Sequence, residues 1–200
     1  MNRVAIGIPT RGDVVTNTAI CLALLAGHEV ARGQSLSILS PQGSIVCVLR
    51  DEIVSRAFEQ EATHILWVDS DMIFPRDGLE RLQAHNQPIV GTNYPTRSSP
   101  VFPTASHFGG SPVYERDQTG LEEVAGIGFG FCLVHMDVFR AMPRPWFSVR
   151  WDGERYLGED SNFCATSGHP ILIDHDLSRE IGHVGYHRFT HADTTEAVRG

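Results

Sequence analysis

The stretch Ile65-Leu66-Trp67-Val68-Asp69-Ser70-Asp71-Met72 joins an apolar run to two carboxylates that lie one residue apart. Four consecutive apolar residues predict a buried strand with the acids at its carboxyl end. Because residues i and i+2 of a strand point to the same side, about 6 to 7 Å apart, Asp69 and Asp71 can converge on one cation. Two unpaired carboxylates this close repel each other, and oxygen ligands suit Mg²⁺ or Mn²⁺. Taken alone, the same residues also fit a turn that ends a strand.

Strand and helix patterns alternate on both sides of this segment. Strands are predicted at 4–8, 35–40, 65–68 and 88–91, and helices at 16–25, 45–61 and 75–85. Gly27 is expected to stop the first of these helices. This β-α-β-α-β-α-β order predicts an α/β fold with a mostly parallel central sheet, which binds ligands at the carboxyl ends of its strands.

The second half of the chain has a different pattern. Residues 93–114 lack periodicity and predict a long functional loop. Glycines at 126, 128 and 130 lie among apolar residues, which indicates strands around a close approach of the backbone. Short helices are predicted at 137–142 and 161–167, and a late strand at 171–173. We expect one domain over residues 1–200.

The charge composition limits the function. All sixteen basic residues are arginine, so the chain has no lysine for a Walker A loop, a pyridoxal Schiff base or a haloacid-dehalogenase type of site. The formal net charge of -8 disfavours a broad nucleic-acid footprint. The four cysteines are widely separated among apolar neighbours, which predicts reduced thiols without a catalytic role. With no membrane-span pattern and no signal-peptide pattern, we expect a cytoplasmic protein without a membrane partner.

A second acidic cluster, Gly158-Glu159-Asp160, stands directly before a predicted helix. Its carboxylates are compatible with capping and with the dipole of that helix. A carboxylate at such a junction, near apolar rings that raise its pKa, can also act as a general base towards an alcohol. Asp160 is the preferred base, and Glu159 is a supporting or alternative residue.

A late histidine is the third candidate. His183 lies in Ile181-Gly182-His183-Val184-Gly185. Its glycine and apolar neighbours are typical of a position where the backbone is closely constrained. A neutral imidazole there can complete the coordination of a metal held by Asp71. A packed structural histidine fits the same pattern.

Taken in order, these motifs resemble those of GT-A fold glycosyltransferases, especially glycosyltransferase family two and small phage-encoded glycosyltransferases. The resemblance covers nearly the whole chain. It rests on Pro9-Thr10-Arg11, Arg50-Asp51, Asp69-Ser70-Asp71, the segment 126–131, Gly158-Glu159-Asp160 and His183.

The resemblance implies a donor half, residues 1–92, and an acceptor and catalytic half, residues 93–200. The donor, a UDP- or GDP-linked sugar, is expected to contact Pro9, Thr10, Arg11, Arg50, Asp51, Asp69, Ser70 and Arg97. A solvated loop position fits Arg97 equally well. Mn²⁺ or Mg²⁺ is expected on Asp71 and His183, while Asp69 contacts the metal, a metal-bound water or the ribose. The acceptor is expected at Gly128, Phe129, Trp146 and Trp151.

The implied activity is metal-dependent, hexosyltransferase-like transfer of a sugar to a hydroxyl group, with inversion at the anomeric carbon. The sequence leaves open the donor nucleotide and its sugar, because neither is specified by these motifs. It also leaves open retention in place of inversion, since related folds retain configuration, and whether the acceptor is a glycan, a protein or a modified nucleobase. Two alternatives stay open: a non-catalytic or degenerate nucleotide-sugar-binding module, and a sugar nucleotidyltransferase. The absence of lysine and of a glycine-rich arginine-lysine loop disfavours the second.

Overall fold

The computed structural model describes residues 3–98, 100–114, 117–185 and 188–189. In chain order, the strands are β1 (Arg3–Gly7), β2 (Ser35–Leu39), β3 (His64–Val68), β4 (Met72–Ile73), β5 (Ile89–Gly91), β6 (Leu121–Val124), β7 (Phe131–His135), β8 (Arg150–Trp151), β9 (Tyr156–Leu157), β10 (Ile171–Asp174), β11 (Gly182–Val184) and β12 (Arg188–Phe189). The helices are α1 (Thr16–Ala31), α2 (Val46–Glu59), α3 (Gly78–Ala84), α4 (Met136–Ala141), α5 (Glu159–Thr166) and α6 (His175–Ser178).

Seven strands form the central sheet, in the order β2-β1-β3-β7-β5-β10-β6. Strands β2, β1, β3, β5 and β10 share one direction, and β7 and β6 run against it. The prediction of a mixed α/β, Rossmann-like fold with a mostly parallel sheet is therefore confirmed. The apolar run 65–68 is fully buried within β3, near the middle of this sheet.

Helices pack on both faces of the sheet, and β1 is accordingly apolar on both sides. Val4 and Ile6 belong to the same core cluster as Leu25 of α1. Ala5 points the other way and belongs to the cluster that contains Ile53 of α2. Strands that are buried on both faces are typical of parallel sheets, which explains the continuous apolar runs in the sequence.

The prediction that Gly27 ends the first helix is wrong, since α1 continues to Ala31. Gly27 costs a helix about 1 kcal/mol relative to alanine, which tertiary contacts can offset. Beyond it, the carboxylate of Glu29 is buried and pairs with Arg32 Nη1 at 2.9 Å.

The order of the strands places the chemistry at one edge of the sheet. β1 pairs in parallel with β2 on one side and with β3 on the other, so the strand order switches direction at β1. Ligands of open α/β sheets bind outside the carboxyl ends of the strands at such a switch. The loop 9–12 after β1 and the residues 69–71 after β3 therefore meet.

Small elements that the sequence did not predict complete this edge. A three-stranded sheet has the order β12-β11-β4, and an isolated hairpin consists of β8 and β9. In the first, His183 is opposite Met72, and the Val184 N–H donates to the Asp71 carbonyl at 2.8 Å. This pairing brings His183 beside the acidic strand end.

The described part of the chain contains no helix that is both long and apolar enough to cross a bilayer. All four cysteines are free thiols, as expected, and Cys132 and Cys164 are buried. Burial raises the pKa of the Cys164 thiol to about 12.

Candidate functional site

A cleft of about 1160 Å³ opens at the carboxyl ends of β1 and β3. It brings together most of the residues that the sequence singles out. Those that line it are Pro9, Thr10, Arg11, Arg50, Asp69, Ser70, Asp71, Arg97, Glu159, Asp160 and His183. The cleft has the size of sites that hold a nucleotide or another ligand of similar volume.

Asp71 and His183 form the centre of one wall. His183 Nε2 lies 3.3 Å from Asp71 Oδ1. The other ring nitrogen, Nδ1, lies 2.9 Å from the carbonyl oxygen of Pro95. Since a carbonyl only accepts, Nδ1 must carry the proton, and in the neutral ring the lone pair of Nε2 faces the carboxylate.

This donor set fits a divalent cation. Two lone-pair-bearing atoms that face each other need a cation or a proton between them, and an Nδ1–H bond to a backbone carbonyl is the usual support of a metal-binding histidine. The described residues contain no group of three or more His, Cys, Asp or Glu side chains arranged to hold a metal. The remaining ligands would therefore come from water or from the phosphates of a substrate, as is usual for Mg²⁺.

Asp69 lines the same cleft but has a different partner. Its Oδ1 accepts from Arg50 Nη2 at 3.0 Å, and Arg50 Nε lies 3.4 Å from Glu159 Oε1. One arginine thus connects the acidic strand end after β3 with the acidic start of α5.

Arg50 is a buried cation, with a side chain only 3% exposed. Its guanidinium carbon lies 5.2, 5.6 and 5.9 Å from the ring centroids of Trp67, Phe129 and Phe147. Burial alone would lower its pKa, but the charges of Asp69 and Glu159 outweigh burial and raise the pKa of Arg50. Arg50 lines the cleft, and in this arrangement its guanidinium is engaged by Asp69 and Glu159, so the contact with the donor expected for it stays a prediction.

Asp160 has the electrostatic setting of a base. Burial and the charges of Glu159 and Asp69 raise the pKa of its carboxyl, against the opposing effects of Arg50 and of the Ser161 N–H, which donates to Oδ1 at 2.7 Å. A carboxylate whose pKa is raised holds a proton more readily than an ordinary aspartate. Glu159 is paired with Arg50, so the two neighbours are in different environments.

Arg97 completes the wall from the long loop 92–114. Its Nη1 lies 2.7 Å from Asp71 Oδ2, and the side chain is 49% exposed at the mouth of the cleft. Because Pro95 of the same loop accepts the bond from His183, this loop holds both members of the Asp71–His183 pair.

The loop after β1 folds back on itself. Thr10 Oγ1 donates to the Asp13 carbonyl at 2.6 Å and accepts from the Gly12 N–H at 3.1 Å. Gly43 and Ser44, which follow β2, also line the cleft and were not predicted from the sequence. The rule that ligands bind at the carboxyl ends of parallel strands could have identified them.

Five predicted contact residues do not line the cleft: Asp51, Gly128, Phe129, Trp146 and Trp151. Asp51 Oδ1 accepts from the Phe147 N–H at 2.9 Å, which ties α2 to the loop between α4 and β8. Phe129 is fully buried and packs edge-on against Phe163, with centroids 5.1 Å apart. Trp146 is 7% exposed, and its indole N–H donates to the Phe139 carbonyl. The rings of Phe129 and Trp146 are packed in the apolar core, which leaves little of either side chain in contact with solvent.

Gly128 has a packing role. A Cβ on it would lie 2.4 Å from Tyr94 Oη. The Tyr94 hydroxyl cannot easily retreat, because it is buried and accepts from the Gly130 N–H at 2.8 Å.

Gly128→Ala is therefore expected to lower the free energy of unfolding by about 1 to 3 kcal/mol, the usual cost of overpacking. Gly27→Ala is the matched control, since nothing lies within 4 Å of the added methyl group. It should raise stability by up to about 1 kcal/mol. Urea unfolding measures both, and equal effects would contradict the steric role of Gly128.

Trp151 differs from the other acceptor candidates because it is 55% exposed. It lies on β8, in the hairpin that immediately precedes α5. Of the four residues expected to bind acceptor, it is the one whose side chain reaches solvent.

No protein-family model matches the chain, and no curated protein sequence matches it. The chain is similar in structure to A197 from STIV, with a TM-score of 0.65 and 17% identity over 99% of this chain and 98% of that chain. This likeness shows that the two share a fold. A glycosyltransferase involved in the glycosylation of the major capsid of PBCV-1 gives a TM-score of 0.37 at 14% identity, over 72% of this chain and 69% of that chain.

Proposed function

We propose that the protein is a metal-dependent glycosyltransferase of the GT-A type, which moves a sugar from a nucleoside-diphosphate donor to a hydroxyl acceptor. The observation that carries this proposal is the pairing of Asp71 with the Nε2 face of His183 across 3.3 Å, on the wall of a nucleotide-sized cleft. Asp71 and His183 would hold Mn²⁺ or Mg²⁺ together with the donor diphosphate. When bound, the cation supplies Lewis-acid stabilisation of the charge on the leaving diphosphate.

The remaining charges of the cleft suit the same ligand. Arg97 Nη1 is within 2.7 Å of Asp71 and is carried by an exposed side chain, so it can also contact a phosphate oxygen. Pro9, Thr10, Arg11 and Ser70 would border the nucleotide. This assigns donor binding mainly to residues 1–92 and acceptor binding to residues 93–200.

Asp160 is proposed as the general base. As the acceptor oxygen attacks the anomeric carbon, its proton passes to the Asp160 carboxylate, a new C–O bond forms, and the bond from the anomeric carbon to the diphosphate oxygen breaks. Attack from the side opposite the leaving group inverts the anomeric configuration. Glu159, which is paired with Arg50, would position this end of the cleft.

Calorimetric titration of UDP and of GDP, each with Mn²⁺ and with chelator, tests the donor site. We expect one nucleotide to bind in a metal-dependent manner, and Asp71→Ala or His183→Ala to weaken that binding at least tenfold, because each variant removes a ligand. Asp117→Asn is the control, since Asp117 is exposed and does not line the cleft.

Failure of both nucleotides to bind folded protein would overturn the transferase proposal. Metal-dependent binding without transfer to any hydroxyl acceptor would instead favour a non-catalytic nucleotide-sugar-binding module. Release of pyrophosphate from a nucleoside triphosphate would favour a sugar nucleotidyltransferase.

A further inference from the structure

We propose that the hairpin of β8 and β9 is a carbohydrate platform and that the acceptor is a short, uncharged oligosaccharide. This inference rests on the proposed function and names the acceptor class that the function leaves open. Its basis is a pair of exposed aromatic side chains, Trp151 and Tyr156, placed just before the catalytic carboxylates in the chain.

The two rings are exposed although they contact each other. Trp151 is 55% and Tyr156 is 74% exposed, and their centroids lie 5.0 Å apart at an interplanar angle of 62°. Large aromatic side chains are costly to leave in water, and such a cluster on a surface typically marks a binding site. The pair belongs to β8 and β9, which are joined to each other but to no other sheet among the described residues.

The hairpin is held in shape before any ligand arrives. Asp152 Oδ1 accepts from the backbone N–H groups of Glu154 and Arg155, at 2.8 and 2.9 Å. The Asp152 N–H donates in turn to the Arg155 carbonyl at 3.1 Å. A turn fixed by its own side chain presents the two rings with less loss of conformational entropy on binding.

The platform is within reach of the proposed base. Tyr156 precedes Asp160 by four positions, so their Cα atoms lie no more than about 14 Å apart. β9 ends at Leu157, and after Gly158 the chain enters α5 with Glu159. An acceptor whose terminal hydroxyl lies at Asp160 can therefore place an earlier sugar on the hairpin.

The charge of the hairpin favours an uncharged ligand. Its basic residues, Arg150 and Arg155, are balanced by Asp152 and Glu154, and the whole chain carries a formal charge of -8. The hairpin therefore has no excess positive charge that would attract the phosphates of a polyanion such as nucleic acid. A pyranose has an apolar C–H face and a rim of hydroxyls, which matches the apolar faces and polar edges of tryptophan and tyrosine.

Intrinsic fluorescence can report on this site directly. Of the three tryptophans, Trp67 and Trp146 are 0% and 7% exposed, so quenching by acrylamide reads mainly Trp151. An array of short uncharged oligosaccharides would identify a binder, which is then titrated into wild type with acrylamide present. We expect binding to protect the fluorescence, Tyr156→Ala to weaken affinity at least tenfold, and Trp151→Phe to abolish the signal.

Phe108→Ala is the control, because Phe108 is 70% exposed and does not line the cleft. It should leave glycan affinity unchanged. In the transfer assay, Trp151→Ala and Tyr156→Ala should raise the acceptor KM at least tenfold with little change in kcat, while nucleotide binding measured by calorimetry stays as in wild type.

Metal-dependent nucleotide binding without protection by any oligosaccharide would overturn this inference and leave the transferase proposal standing. Protection by an oligodeoxynucleotide, but by no sugar, would also overturn it. Protection by a glycan in a protein that binds neither UDP nor GDP would support the platform and reject the transferase.

Discussion

Asp160→Asn is expected to lower the rate of sugar transfer by about 100- to 10,000-fold, the usual contribution of a general base. Asparagine keeps the size of the side chain and its ability to accept the Ser161 N–H, but it cannot take the acceptor proton. Donor affinity should stay close to that of wild type, because Asp71, His183 and Arg97, the residues proposed to bind the metal and the diphosphate, are untouched. Transfer kinetics and calorimetry on the same preparation measure the two quantities.

The control for this variant is Asp117→Asn, an exposed aspartate outside the cleft, which should transfer at the wild-type rate. Glu159→Gln distinguishes the roles of the two neighbouring carboxylates, since it weakens the pair with Arg50 and leaves Asp160 in place. A full loss of transfer in Glu159→Gln with wild-type rates in Asp160→Asn would assign the base to Glu159 instead.

If Asp160 is the base, as proposed, its raised pKa should set the pH dependence of transfer. A base works only when it is deprotonated, so kcat/KM should fall as the pH drops through the pKa of this carboxyl. Burial and the negative charges of Glu159 and Asp69 raise that pKa above the ordinary value of 3.8. The fall in kcat/KM at acidic pH should therefore occur at a higher pH than it would with an exposed aspartate as the base. This fall should be absent from the residual activity of Asp160→Asn.

The same shift has a consequence for stability. A carboxyl whose folded pKa exceeds its unfolded pKa binds protons more readily in the folded state, and the stability this gives is lost as the pH rises through the folded pKa. At neutral pH, the charged Asp160 is thus a net cost. Asp160→Asn should raise the melting temperature near pH 7, and this gain should shrink as the pH falls from the folded pKa of Asp160 towards its unfolded pKa, because the carboxyl is then protonated.

Arg50→Met is expected to cause the largest loss of stability, about 3 to 5 kcal/mol, because it leaves Asp69 and Glu159 without their shared buried cation. Methionine keeps much of the apolar contact with the surrounding rings, so the loss reports mainly on charge. Donor binding should weaken as well, since the acidic end of β3 loses a support. Urea unfolding by circular dichroism gives the free energy.

Arg56→Met is the matched control on the same helix. Arg56 pairs with Glu52 on the surface, and its side chain is 48% exposed. Exposed pairs contribute about 0 to 1 kcal/mol, so this variant should unfold nearly as wild type does. Adding Glu159→Gln to Arg50→Met should recover part of the stability, and a loss that the second change does not reduce would contradict the electrostatic explanation.

Local pattern in the sequence determined the larger strands and helices of the α/β core and one end of the site. Apolar runs such as 65–68 predicted buried strands, because a strand covered on both faces needs apolar residues in succession. The position of Asp69 and Asp71 at the end of such a run placed them at the carboxyl edge of a parallel sheet. Gly27 shows the limit of this approach, because packing beyond a glycine can sustain a helix that local propensity would end.

Only the tertiary structure decided which side chains meet and which are buried. His183 reaches Asp71 because β11 pairs with the two-residue strand β4, a contact between distant parts of the chain that local periodicity does not encode. Arg50 and Glu159 are 109 residues apart, and their pairing gives Arg50 an internal contact that local pattern did not predict. Phe129 and Trp151 are both aromatic residues expected to bind acceptor, yet the first is buried and the second exposed. Residue type determines what chemistry a side chain can offer, and the packing of remote segments determines whether a ligand can reach it.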